Sequence, residues 1–351
     1  MNKNFWQEQL KLHDKLCFLA PMDWYWDSAY RQAMKRVAPH VYCISEFYSA
    51  DGLVHSKFLA DSVLPHASIE DPVIIQIFWK DPAMFAKAAK IISDPKYNIA
   101  GIDVNMWCPA KKVVRSGHGS SLLINEQTAF DIVKALDDAT HLPISVKTRL
   151  SFDGNQDLIH FAQWLQKSGA KLVTIHGRTA KQAYTWNADF TNIYELQRNM
   201  DIPVIWNWDV QHFDDGMNKV KNLAWFMIGR KSFWNPWCFI WEQHARAQRD
   251  TYPEWTFLDG YYQPTLWEML EAMEFHAAQL VATKWERKGS LEIRKHLVQY
   301  IKSFPGVKDY RKRLVTTESI EMTRETINDL RTNFSHVLSK RPWLGEIAQW
   351  D

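Results

Sequence analysis

Residues 143–176 read PISVKTRLSFDGNQDLIHFAQWLQKSGAKLVTIH. A short β-branched run at 143–149 leads into a segment with helical spacing at 156–167, and a second apolar run follows at 171–176. Such runs read as strands covered on both faces, and the segment between them is long enough for the helical crossover that parallel pairing needs. Both runs turn polar where they end: Lys147 and Arg149 close the first, and His176 and Arg178 close the second.

The same unit recurs outward in both directions. Runs at 17–21 (CFLAP), 41–46 (VYCISE), 72–78 (PVIIQIF) and 99–105 (IAGIDVN) precede it, and 203–207 (PVIWN) and 225–229 (WFMIG) follow, with amphipathic stretches at 81–92, 126–138 and 190–199. Eight such units predict an α/β protein built as a closed (β/α)8 TIM barrel rather than an open doubly wound sheet, and no G-x-G-x-x-G follows the first run. After Pro253 the strand signal stops and the spacing becomes helical, with Leu266, Met269, Leu270, Met273 and Leu280 on one stripe. The expected division is a barrel domain at 1–250 and a C-terminal helical bundle domain at 251–340.

The 351 residues carry 42 Lys and Arg against 40 Asp and Glu with no long block of one sign, which excludes binding to nucleic acid by bulk charge. Any such surface must be local. One candidate is 284–313, where ten basic residues stand against three acidic ones; it is either a phosphate-binding face or a solvated helix face. The start lacks a leader-like apolar core, and no apolar stretch approaches the roughly 18 residues that span a bilayer, so a cytoplasmic protein with no membrane association is expected. Cys17, Cys43, Cys108 and Cys238 form no C-x-x-C pair, which argues against a zinc ribbon or a disulfide framework, and no metal is expected.

A parallel barrel delivers reactive groups to the rim where its strands end. The ends here offer Met22 and Asp23, Glu46, Gln76, Asn105 and Cys108, Lys147 and Arg149, His176 and Arg178, Asn207 and Asp209, and Gly229 and Arg230, and polar groups at nearly every end point to a binding site. Cys108 precedes a proline, two lysines and a glycine- and serine-rich loop, which favours an accessible thiol acting as nucleophile or proton donor, whereas Cys17, Cys43 and Cys238 read as core. Lys147 needs either a ligand or a carboxylate on a neighbouring strand. His176 is either a core histidine or a ligand donor, and M-I-G-R-K-S-F at 227–233 lies where such barrels bind phosphate through backbone N–H groups.

Taken together and in order, LAPMDWYWDSAYR, EFYSADGL, IQIFWKDP, GIDVNMWCPAKKVVRSGHGSSLL, SVKTRL, TIHGRTAKQAYTW, PVIWNWD, FMIGRKSFWNPW and LEIRKHL resemble the tRNA-dihydrouridine synthases over nearly the whole chain. The resemblance implies FMN across the barrel mouth, NADPH as reductant, and a tRNA uridine swung out of its stack as substrate. It assigns Cys108 as the proton donor to the uracil. Pro21, Met22, Gln76, Asn105 and Lys147 would border the flavin ring, and His176, Asn207, Trp208, Asp209, Gly229 and Arg230 would hold its ribityl chain and phosphate. Arg178, Lys181 and Gln182 would meet RNA near the pocket, and Arg294, Lys295 and His296 would grip its backbone. A flavin barrel acting on a small unsaturated substrate would share the rim without needing the basic segment. A tRNA-binding remnant would keep the basic segment and lose the flavin.

One departure from the family pattern stands out. Tryptophan occupies the family's glycine places at 24, 79, 107, 186, 206, 208, 225 and 234, and similarly at 267, 285 and 164, whereas Trp6 and Trp237 stand where tryptophan is expected. The chain has 18 tryptophans and 13 glycines; glycine at those eleven places would give 24, near the roughly 25 of ordinary usage. The pattern is that of UGA codons written as tryptophan in a source that reads them as glycine.

Overall fold

The computed structural model describes residues 3–12, 16–183, 185, 188–242, 245, 256–302, 304 and 306–341, the side chains of 111 and 112 apart. Trp186 and the expected division at 250/251 therefore lie outside the described residues. Eight parallel strands close in chain order: β1 (Cys17–Leu19), β2 (Tyr42–Ser49), β3 (Val73–Phe78), β4 (Gly101–Asn105), β5 (Ile144–Arg149), β6 (Leu172–His176), β7 (Val204–Asn207) and β8 (Trp225–Ile228), with β1 paired to both β2 and β8. Each lies on an expected run, so the TIM barrel read from the sequence is the fold observed.

Local chemistry explains the alternation with helices. Asp157 accepts from the backbone N–H groups of Ile159 and His160 and starts the helix Leu158–Lys167, and Asp81 caps the helix Pro82–Ile92 with proline in its first turn. One end of the barrel is filled by rings: Trp225 lies 5.7 Å from Phe18 and 6.0 Å from Trp6, and Phe18 lies 5.3 Å from Tyr42. Trp6 arrives on the N-terminal helix Phe5–Leu12.

Closure fixes which strand ends are neighbours. Gln76 pairs with Asp103, Asn105 with Lys147, Arg149 with His176, and His176 with Asn207. Residues 27 to 42 positions apart thus become neighbours across adjacent strands.

The described residues fall into two compact units. The first holds Met1–Trp26, His40–Gln211 and Asp215–Gly229; the second holds Asp27–Pro39, His212–Asp214 and Arg230–Asp351. Helix Ser28–Val37, which follows β1 in sequence, thus belongs to the second unit and packs there on the helix Leu266–Lys284. The core of the second unit includes Ala29, Leu266, Leu270, Met273, Leu280, Leu297 and Ile327. A short antiparallel hairpin, β9 (Phe257–Leu258) and β10 (Tyr261–Tyr262), also forms in the second unit, contrary to the expectation that strands end before Pro253. Its turn is Asp259–Gly260 with φ of 50° and 78°, and the Asp-Gly pair was the signal in the sequence.

Backbone conformation singles out four tryptophans. Among the described residues, nine other than glycine have φ in the left-handed range, and four of these are Trp24 (70°), Trp208 (109°), Trp234 (53°) and Trp285 (65°). Trp285 joins the helices Leu266–Lys284 and Glu286–Tyr300 with φ 65° and ψ 157°, a region that is essentially glycine's alone. The residue is 79% exposed, so little burial offsets the strain. Trp285→Gly is therefore expected to raise the unfolding free energy by about 1–3 kcal/mol. Urea unfolding checks this: the midpoint should rise at constant m-value, and an unchanged or lower midpoint would show that the junction is not strained.

Candidate active site

Strand β4 places alternate residues on one side, so Asp103 and Asn105 project together toward Gln76 of β3 and the side chains of β5. Asp103 is fully buried and accepts from Ser145 Oγ at 2.5 Å and Gln76 Nε2 at 2.6 Å. The other end of the Gln76 amide accepts from Asn105 Nδ2 at 3.0 Å. Asn105 Oδ1 in turn accepts from the backbone N–H groups of Trp107 at 3.3 Å and Cys108 at 3.2 Å. A carboxylate in the barrel thus sets the direction of two amides and holds the first turn of the cysteine loop. Burial lifts the Asp103 carboxyl to about 6, against the opposing hydrogen bonds from Gln76 and Ser145 and the charge of Lys147.

Lys147 is fully buried and its Nζ has no hydrogen-bond partner. Burial and the nearby Arg149 guanidinium push its ammonium well below the usual lysine range. His176 is also fully buried, with neither ring nitrogen partnered, and burial together with Arg149, Lys147 and Arg178 keeps the imidazole neutral. Polar atoms left this way in a closed interior call for an acceptor-rich ligand. The sequence left Lys147 open between a ligand and an ion pair; in the structure no carboxylate bonds it.

The thiol of Cys108 is buried, which corrects the expectation of an accessible group. The loop folds back over it: the backbone N–H of Ser120 donates to the Cys108 carbonyl at 3.1 Å, and a Cβ at Gly119, where φ is 60°, would stand 2.8 Å from that oxygen. Burial pushes the thiol above its ordinary value despite Arg149 and Lys147. A thiol that keeps its proton suits the donor role and not the nucleophile. Pro109, Val114, Arg115, Ser120, Phe152 and Lys181 line a neighbouring cavity of about 340 Å³.

The remaining expected residues divide. Pro21 is buried and Met22 half-buried after β1, and a Cβ at Gly229 would lie 4.0 Å from Met22 Sδ, so these share one side of the rim. Asn207 donates to the Met227 carbonyl at 3.3 Å. Arg178 is a correction: it is 4% exposed, donates to the Thr185 carbonyl and pairs with Asp209 at 3.1 Å, so it braces the loop instead of facing RNA, and the Asp209 carboxylate is taken up with it. Lys181 is exposed beside Asp153, and Gln182 accepts from the backbone N–H of Thr179. Arg230 is exposed at the start of the second unit's last segment.

In the second unit His296 is the other correction. It is 1% exposed, its Nδ1 accepts from Trp234 Nε1 at 2.9 Å, and its ring packs 4.7 Å from His276. Arg294 is half-buried and donates to the carbonyls of Thr317 and Thr316, whereas Lys295 is exposed. Sequence reading missed Asp103 and Ser145 as site residues, although the two-residue step from Asp103 to Asn105 was available. It also missed the task of Arg149, whose guanidinium holds the carbonyls of Trp107, Thr179 and Ala183.

The polar set suits a flat, acceptor-rich ring such as a flavin, but the space does not. The Trp107 ring lies 3.8 Å from Lys147 Nζ and stacks on His176 at 6.1 Å and 13°, and Trp208 lies 4.3 Å from His176 on its own approach. Both indoles are only 7% exposed. As written, the chain fills the rim with its own rings.

A sequence family described as dihydrouridine synthase matches residues 18–335. A probable tRNA-dihydrouridine synthase of Synechocystis is 30% identical over 341 residues, covering 93% of this chain and 90% of its own. The tRNA-dihydrouridine synthase B of Pseudomonas aeruginosa is 28% identical, covering 84% and 86%, and a probable tRNA-dihydrouridine synthase of Mycobacterium leprae is 30% identical, covering 79% and 72%. Among solved structures, an old yellow enzyme homologue from Zymomonas mobilis matches 72% of this chain and 92% of its own with a TM-score of 0.48 at 11% identity.

Two outcomes follow from the titrating groups. In the unfolded chain Asp103 loses its proton near 3.8, in the folded chain near 6, so its contribution is complete below pH 4 and falls by about 3 kcal/mol as pH rises through 6. Asp103→Asn should flatten that part of the pH–stability curve, measured by urea unfolding between pH 4 and 7; an unchanged slope would remove Asp103 as its source. Alkylation of Cys108 by iodoacetamide, followed by peptide mass spectrometry, should still be accelerating above pH 9, since only the thiolate reacts. A plateau below pH 9 would count against a thiol held protonated.

Proposed function

We propose, from the premise that this chain belongs to the dihydrouridine synthase family, that it reduces one uridine of tRNA to 5,6-dihydrouridine in the cytoplasm, with FMN as electron carrier and NADPH as reductant. The net reaction adds a hydride equivalent from NADPH at C6 of the uracil and a proton at C5, leaving NADP⁺. The observation that carries this reading is the placement of the buried Cys108 thiol on a loop anchored by Asn105, near Lys147 and His176, whose side-chain nitrogens have no hydrogen-bond partner. A buried thiol with a raised pKa is poorly suited to nucleophilic attack and well suited to delivering a proton to carbon.

The chain's own residues would divide the work. Asp103 fixes the Gln76 and Asn105 amides so that they arrive at the rim in one orientation, which reduces what ordering a ligand must cost. Lys147 and the neutral His176 offer donors in a dry site, where each hydrogen bond to a ligand counts for more than in water. The uridine must leave its stack to reach Cys108, and the cavity of about 340 Å³ beside Pro109 is within the size of small-ligand pockets.

Grip on the tRNA backbone is assigned to the second unit. Arg287, Lys288, Lys295, Lys302 and Lys308 are exposed there, whereas Lys284 is tied to Asp27 and Glu292, and Arg313 to Asp329. Exposed lysines and arginines such as these are the ones that can release counter-ions from phosphate. Lys181, exposed although paired with Asp153, is a further cation in the first unit.

The deciding experiment is mass spectrometry of tRNA from cells with and without the gene, with a gain of two hydrogens at one uridine as the expected difference. Complementation with Cys108→Ala should leave that uridine unreduced, by at least a hundredfold in rate, while tRNA binding in a gel shift stays intact and weakens steeply with salt. Normal dihydrouridine in the Cys108→Ala strain would remove the cysteine as proton donor. Binding indifferent to salt would remove the basic face.

A further inference from the structure

We infer that the polypeptide on which this fold works carries glycine where the written chain has Trp24, Trp107, Trp208, Trp234 and Trp285. For four of these the backbone itself argues, with φ of 70°, 109°, 53° and 65° at 24, 208, 234 and 285. L-residues avoid this region because the Cβ meets the backbone, bulky ones most of all, and glycine enters it freely. Three of the other left-handed residues, Asn98, Asp209 and Asp259, are of the types that tolerate the conformation.

Three tryptophans outside the family's glycine places contrast with these four. Trp6, Trp26 and Trp237 have no left-handed backbone and are 1%, 0% and 4% exposed, filling interior space shaped for an indole. Trp24 and Trp285 are 77% and 79% exposed, so neither gains from burial what its backbone gives up. Drift cannot sort the largest side chain onto glycine's conformation. Two codons can: UGG read as tryptophan, and UGA read as glycine by the cell but written as tryptophan.

Position 107 rests on the flavin reading given above; the other four do not. Its indole stands against Lys147 and His176, the two buried donors that have no partner. Glycine at 107 and 208 leaves both donors facing open space. In the second unit, glycine at 234 removes the indole that now bonds His296 and lines a cavity of about 520 Å³ with Tyr261, Gln299 and Tyr300, and so opens that cavity onto the imidazole.

Peptide sequencing by tandem mass spectrometry, on the protein isolated from cells that encode it, tests this directly and does not depend on either form folding in another host. The expected result is glycine at 24, 107, 208, 234 and 285, and tryptophan at 6, 26 and 237; tryptophan at 208 and 285 would overturn the inference. A second measurement reads the site alone. Two synthetic genes, one for the written chain and one with Trp107→Gly and Trp208→Gly added, are compared by quenching of FMN fluorescence. At least tenfold tighter FMN binding by the glycine form is expected, and equal binding would overturn the claim for position 107. Glycine in the peptides with no FMN bound by either form would sink the flavin reading while leaving the other four positions standing.

Discussion

A lysine ammonium at the centre of a protein, with no counter-ion bonded to it, is among the costliest groups a fold can carry, and Lys147 is that group here. The barrel accepts it because β5 must end at the rim and because pairing sets Lys147 beside Asn105 on one side and Thr174 on the other. Burial and the neighbouring Arg149 depress its pKa, which makes the charge easier to give up, and in the chain as written the π-face of Trp107 stands 3.8 Å from its Nζ. Much of what surrounds it is arranged around the same difficulty. Asp103 stays near enough to act through space while spending its oxygens on Ser145 and Gln76, and burial with the neighbouring Arg149, Lys147 and Arg178 holds the pKa of His176 well below its ordinary value.

The scaffold that makes this tolerable is ordinary. Strands with β-branched residues on both faces, helices started by Asp caps, and a ring-packed floor under the barrel supply stability at a distance from the rim. The rim is therefore free to hold polar groups that do not stabilise the fold. The second unit follows the same division of labour, with an aliphatic core from its helices and a largely separate set of exposed lysines and arginines. Its interior also encloses two facing histidines, His276 and His296, both kept uncharged mainly by burial.

Tryptophan is the residue that disturbs this picture, and it does so in two separable ways. One is volume: Trp107 and Trp208 occupy the rim beside the two donors that most need a ligand. The other is backbone: Trp24, Trp208, Trp234 and Trp285 sit at φ values made for a residue without a Cβ. The backbone kept a path that a glycine would dictate even with an indole attached, because the neighbouring strands, helices and caps determine that path from both sides. Trp208 belongs to both groups, with φ of 109° and its ring 4.3 Å from His176.

The sequence by itself determined the strands and most helices, since those depend on periodicity and caps within a few residues of one another, as at 143–176. It also determined that the rim would be polar, because each strand end carries its own polar residue, and it held the glycine deficit in its composition. What it did not hold was the partner of each polar group. That Cys108 would be buried and keep its proton, that Asp103 and Ser145 would anchor the site, and that Arg178 would spend its charge on Asp209 all follow from barrel closure, which brings distant residues into contact. The same holds for His296, turned inward by helix packing though it lies between basic neighbours in sequence, and for helix Ser28–Val37, which joins the second unit although it follows the first strand. Local pattern fixes conformation and face; burial, charge state and pairing are set only once the chain has closed on itself.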